Sequence, residues 1–130
     1  MKMLTIVIVM FVLSGFSPVW ATSLTVAELA VTTKVSKGKP IDSVHRISHR
    51  SVKALFCYSR TASKSSEHTT IKHVWQRDGK IVKEAVMAIK AKQWRAYSTM
   101  PVGRSSVGKW QVDVLDADGT KLKTVEFLIN

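Results

Sequence analysis

The sequence predicts an all-β, immunoglobulin-like antiparallel β-sandwich of about seven strands, preceded by a signal peptide. Three observations carry that expectation. Apolar and polar residues alternate with a period of two through most of the chain after Leu24. Turn signals, among them Asp78-Gly79 and Asp118-Gly119, separate the alternating runs at intervals of roughly eight to twelve residues. No segment sustains an apolar stripe at helical spacing.

The first 21 residues stand apart from that pattern. Lys2 is the only charge before Glu28, and Leu4 to Leu13 is apolar except for Thr5, until Ser14, Gly15 and Pro18 break the run. Val19-Trp20-Ala21 then offers side chains that a signal peptidase pocket accepts, so cleavage is expected between Ala21 and Thr22. An uncleaved anchor is the alternative, because Met3 to Ala21 approaches spanning length, but the apolar core is short and helix breakers follow it. With no cysteine near Ala21, a lipid-modified N-terminus is excluded. The expected organisation is a signal peptide over 1–21 and one domain over 22–130, periplasmic or secreted, with no transmembrane span after leader cleavage.

The strands follow in order. Leu24 to Val31 is apolar with β-branched residues, and Thr32 to Pro40 breaks up into a loop of Lys, Ser, Gly and Pro. Val52 to Arg60 places Val52, Ala54, Phe56 and Tyr58 on one face and Leu55 and Cys57 on the other, the pattern of a strand covered on both sides. Thr69 to Arg77 and Lys80 to Lys90 flank Asp78-Gly79, whose readiness for positive φ angles makes it the strongest hairpin signal in the chain. Gln93 to Thr99, Trp110 to Leu115 and Lys121 to Ile129 complete seven, with Pro101 to Gly108 as loop. The expected core includes Phe56, Trp75, Val112, Val114 and Phe127. Cys57 stands 18 residues before Trp75, and Trp110-x-Val112 occupies the place where an immunoglobulin domain has Tyr-x-Cys. The second cysteine is missing, so apolar packing must replace the inter-sheet bridge, and Cys57 reads as a small core residue.

Several stretches resemble a bacterial family, the domain of unknown function 2914. They are Leu55-Phe56-Cys57-Tyr58-Ser59-Arg60, His73-Val74-Trp75-Gln76-Arg77-Asp78-Gly79-Lys80, Trp94-Arg95-Ala96-Tyr97-Ser98, and Gly108-Lys109-Trp110-Gln111-Val112 with Asp116-Ala117-Asp118-Gly119 behind it. The resemblance spans most of the chain from Leu24 onward. It implies an envelope-associated β domain and no particular activity.

Catalytic and cofactor chemistry finds no foothold in the residue pattern. His45 and His49 have the spacing of helical metal ligands, but Asp42 is the one acid nearby, the surroundings are basic, and extended chain is expected there. Aligning Gly119 with the glycine of a calcium loop puts Val114 and Val125 where carboxylates are needed. There is no Gly-x-Ser-x-Gly elbow, no phosphate-binding glycine loop and no paired acids in an apolar setting. The expectation is a non-enzymatic domain without cofactor or metal.

Two surface candidates remain. His73, Trp75 and Arg77 share one face of their strand, and Arg95 and Tyr97 share the face opposite Trp94. Either Trp75 and Trp110 form the inter-sheet core with His73 hydrogen-bonded at a sheet edge, or these rings make a binding face that stacks on a sugar or peptide while Arg77 or Arg95 pairs with an acidic group. The second candidate is electrostatic. The whole chain carries a net charge of +11, which falls by one, to +10, once Lys2 leaves with the leader. Lys34, Lys37, Lys39, Arg46, Arg50 and Lys53 cluster against Asp42 alone, whereas Trp110 to Asn130 has four acids against two lysines. The module is therefore expected to bind an envelope protein or ligand, with an anionic envelope polymer (acidic glycan, lipid headgroups or lipopolysaccharide) as the alternative partner. Export argues against a specific nucleic-acid partner, although a basic domain binds one adventitiously.

Overall fold

The computed structural model describes residues 24–130, so the expected leader lies outside the described residues. Seven long strands run as β1 (Thr25–Thr32), β5 (Ala54–Ala62), β6 (Thr69–Arg77), β7 (Lys80–Ile89), β8 (Gln93–Pro101), β9 (Gly108–Asp116) and β10 (Lys121–Ile129). Three two-residue strands lie between the first two: β2 (Val35–Ser36), β3 (Lys39–Pro40) and β4 (Arg46–Ile47). One sheet has the order β1-β5-β8 and the other β4-β10-β9-β6-β7. This is an immunoglobulin-like arrangement in which the β6–β7 hairpin belongs to the larger sheet and β8 crosses to the smaller one. Every long pairing is antiparallel, while the short β4 joins β10 in parallel. Among the described residues no helix is long and apolar enough to cross a membrane.

The segment expected as one loop, Thr32 to Pro40, contains the small β2–β3 hairpin. Its turn is Lys37-Gly38, with φ of 53° and 72°, the double positive φ of a type I′ turn; Asp78-Gly79 repeats that geometry at 50° and 81°. A lysine is a poor advertisement for such a turn, so the hairpin escaped the reading of composition.

The core lies between the sheets. Trp75 on β6 meets Trp110 on β9 and Phe127 on β10 edge-on, at centroid distances of 6.4 and 6.2 Å, while Trp110 and Phe127 stack at 5.9 Å. Cys57 and Val112, both fully buried, belong to the same cluster, so a thiol and an isopropyl group fill the place of the inter-sheet disulfide. Burial pushes the Cys57 thiol far up, which makes it a small apolar residue in practice. Phe56 departs from its expected place in the core. Leu55 and Cys57 take the inward slots of β5, and Phe56 turns to the outer face, packing edge-on against Tyr97 at 6.1 Å.

Candidate functional site

The conspicuous polar residues of the sequence divide between the interior and the surface. His73 and Trp75 belong to the interior. Both are 0% exposed, and β6 is an inner strand between β9 and β7, so His73 sits neither on a binding face nor at a sheet edge. Ser98 Oγ accepts the Trp75 Nε1–H at 2.9 Å, which leaves its own O–H to donate to His73 Nδ1 at 2.7 Å. Nε2 then carries the ring proton and donates to Ser59 Oγ at 2.8 Å, and the Ser59 hydroxyl donates to the Ala96 carbonyl at 3.4 Å. This direction alone satisfies every member of the chain. Burial lowers the His73 pKa to about 4, because the charged imidazolium would lose its hydration in the interior. The Ser–His contact therefore ties the two sheets together and has no access to substrate.

Arg77 and Asp78 are also absorbed by the fold. The Arg77 guanidinium donates to the Ser105 carbonyl. Asp78 Oδ1 accepts the Lys109 amide at 3.0 Å, and the Asp78 amide donates to the Lys109 carbonyl at 2.7 Å. Gly108 lies beneath them at φ 152°, where an added Cβ would stand 2.8 Å from Asp78 Oδ2 and 3.0 Å from Arg77 Cγ. The Arg-Asp-Gly and Gly-Lys-Trp pieces of the sequence are thus two halves of one joint, and glycine is required at Gly108 by both space and backbone.

Arg95 and Tyr97 do reach the surface, on the outer face of the three-stranded sheet. Tyr97 is 56% exposed, a large ring in solvent beside the half-buried Phe56. The register places Glu28, Arg60 and Arg95 in one row across β1, β5 and β8, and Ala30, Tyr58 and Tyr97 in the next. Arg60 Nε pairs with Glu28 Oε1 at 2.9 Å. An open hollow of about 340 Å³ is lined by Arg60, Gln93, Trp94 and Arg95; Trp94 itself is half-buried against the second core cluster.

The β2–β3 hairpin folds back across this face. A Cβ on Gly38 would stand 3.4 Å from Arg95 Nη1, although Arg95 lies on the strand farthest from β1. Tyr58, on the strand crossed, is only 1% exposed. Burial, and next the Glu28 carboxylate, push its phenol pKa up, while Arg95 and Arg60 pull the other way, Arg95 by a hydrogen bond. The hairpin's base is fixed by Asp42. Its Oδ1 accepts the Thr32 hydroxyl at 2.6 Å and the Thr33 amide at 2.9 Å, and its Oδ2 accepts the Thr33 hydroxyl at 2.5 Å. Slight burial would raise the Asp42 pKa, but these bonds outweigh it and hold the carboxyl below its usual range.

All six residues of the expected cationic cluster are exposed, on separate elements. Lys34, Lys37 and Lys39 belong to the hairpin and its root, and the Lys37-Gly38 turn is the part that meets Arg95. Arg46 lies on β4 of the other sheet, Arg50 in the turn after it, and Lys53 just before β5, where its carbonyl accepts the Val102 amide. His45 falls at a bend and His49 in a turn, with no helical face. Asp42, Tyr58, Arg60 and Gln93 were not anticipated at this face; the alternation of β5 does put Tyr58 and Arg60 on one side.

A larger hollow, about 510 Å³, lies against the five-stranded sheet and is lined by His45, Asp78, Lys109, Gln111 and Glu126 among others. It is the weaker candidate. Its charges are mixed, its Asp78 is committed to Lys109, and its aromatic residues Trp110 and Phe127 are core.

A family model described as protein of unknown function (DUF2914) matches residues 68–129. The match includes the stretches from His73 onward and begins after Leu55 to Arg60. Among curated proteins, none matches this sequence. An immunoglobulin-like protein from Pseudomonas aeruginosa is similar in structure, with a TM-score of 0.55 and 11% identity, 82% of this chain and 96% of that one being covered. An alkylpurine DNA glycosylase from Pseudomonas fluorescens, bound to DNA containing an abasic site analog, has a TM-score of 0.55 and 14% identity. There 84% of this chain matches only 31% of the enzyme, so the chain spans less than a third of that protein's length. At these identities the likeness is one of fold.

Proposed function

We propose, from the premise that residues 68–129 belong to the domain of unknown function 2914 family, that this chain is an exported, non-enzymatic accessory module of the bacterial envelope that holds an anionic ligand on the outer face of its three-stranded sheet. One observation carries the reading. Tyr97 stands exposed two residues along β8 from Arg95, which lines a hollow with Arg60, Gln93 and Trp94, and the Lys37-Gly38 turn is folded against Arg95. A ring in solvent offers a stacking plane for a sugar, and guanidinium groups beside it match a carboxylate or phosphate with paired N–H donors. Export to the envelope is supported by the leader pattern in residues 1–21.

The alternative is diffuse attraction of anionic polymers by the cations spread from Lys34 to Lys53. Charge reversal separates the two. The full chain is titrated with polygalacturonate, with phosphatidylglycerol vesicles and with duplex DNA, at low and physiological salt. Arg95→Glu and Lys37→Glu are expected to weaken binding to the preferred polyanion by about tenfold each. Lys121→Glu and Lys123→Glu, in the acid-rich hairpin, are expected to cost about twofold or less. Equal losses per charge at the two places would leave only generic basicity. Equal affinity for all three polyanions would likewise remove the ligand-specific face.

A further inference from the structure

Among the described residues, β7 ends the five-stranded sheet and pairs with β6 alone. Three of the large hydrophobic side chains exposed by the described residues lie on it: Ile81 at 61%, Val82 at 48% and Val86 at 63%. Its two halves differ. A bulge at Val82 interrupts the register with β6, and Lys83 turns across to donate to the Thr99 carbonyl of β8, so the first half is twisted and tied. From Glu84 onward the register is regular, with Glu84, Val86 and Ala88 on the outward face, Ala85 and Met87 turned inward, and Lys90 directly after the strand. This half is an open edge with exposed apolar surface and little to repel another strand.

We infer that Glu84 to Lys90 pairs antiparallel with the same segment of a second copy, about a twofold axis through Met87. Opposed residues in such a pair must share a face, so the register is centred on a residue. Centring on Met87 sets Glu84 against the second copy's Lys90, and Val86 against its Ala88, each twice. Centring on Ala85 would set Lys80 against Lys90, and centring on Val86 would leave Glu84 opposite Ala88. Centring on Val82 would also match Glu84 with a lysine, Lys80, but would place the bulge on the axis. Charge complementarity therefore selects both the occupant and the register. The short edge predicts a weak, concentration-dependent dimer. Because the axis runs perpendicular to the sheet, the two Arg95–Tyr97 faces would point to the same side and could engage repeated anionic groups together; this consequence, unlike the pairing, rests on the function proposed above.

Sedimentation of the full chain without ligand, across roughly 1 µM to 1 mM at physiological salt, tests the pairing directly and is independent of ligand binding. Glu84→Lys and Lys90→Glu should each weaken association about tenfold, since each sets like charges opposite one another twice. Combining them should restore it. Met87→Cys should give a disulfide-linked dimer on oxidation, with buried Cys57 left out. A monomer throughout would overturn the inference, as would a dimer indifferent to both reversals or a combined variant no better than the singles. Protection of the β7 amides only on adding an extended Glu/Val-alternating peptide to a monomeric chain would assign the edge to another partner and overturn it too.

Discussion

The two faces of the β5–β8 ladder are built from neighbouring residues and do opposite work. Inward, Ser59 and Ser98 are buried hydroxyls that hold His73 and Trp75 through a hydrogen-bond chain of fixed direction. Outward, their sequence neighbours Arg60 and Tyr97 help form the surface around Arg95, crossed by a basic hairpin. In the first region each polar atom is committed and water is excluded, so its content is structural. In the second, guanidinium groups and a phenol ring face solvent. The lesson is that the residues easiest to notice in the sequence, His73 and Trp75, secure the scaffold, while a plainer Arg-x-Tyr on the neighbouring strand makes the surface candidate.

Truncation should separate the two faces most widely. Trp75→Ala should cost about 3–5 kcal/mol, as for other buried aromatic residues, and it also leaves Ser98 without one of its partners. Tyr97→Ala should change stability by less than about 0.5 kcal/mol. Urea denaturation of both variants measures the contrast. Similar losses would mean that the two faces have been assigned the wrong way round.

Acid acts on the inner face through His73. The His73 pKa is lowered to about 4 in the folded protein from 6.5, so as pH falls the unfolded chain takes up the proton first. The stability contributed by the neutral ring is present above about pH 6.5 and is lost progressively down to pH 4, to a total of about 3 kcal/mol. Unfolding free energies at successive pH values should show this slope, and His73→Leu should remove it while lowering stability at neutral pH by leaving the Ser98 hydroxyl without its acceptor. A slope that survives in the leucine variant would place the acid response elsewhere.

Much of the fold was legible because period-two alternation and the Asp-Gly turn report local chemistry directly. Strands β6 and β7 flank Asp78-Gly79 as expected, and Trp75, Val112, Val114 and Phe127 fill the core. Alternation says which residues share a face but not which face turns inward, and that is why Phe56 was misplaced and His73 and Trp75 stayed open. The β2–β3 hairpin was missed because its turn begins with lysine. Its position over Arg95 depends on contacts between residues more than fifty positions apart, which no local pattern encodes. The joint of Asp78 with Gly108 and Lys109 is hidden for the same reason, although both motifs were visible separately.

On the proposed function, the outer face of β5 and β8 meets an anionic ligand while the inner face only holds the fold. Amide chemical-shift mapping of the folded chain during titration with an oligogalacturonate tests it most directly. The predicted result is saturable shifts, reduced by salt, confined to residues 37–39, 58–60 and 93–97, with the side-chain signals of His73 and Trp75 unmoved. Shifts centred on the hollow of His45, Lys109 and Glu126, shifts spread evenly over every lysine-bearing loop, or no shifts at all would contradict it.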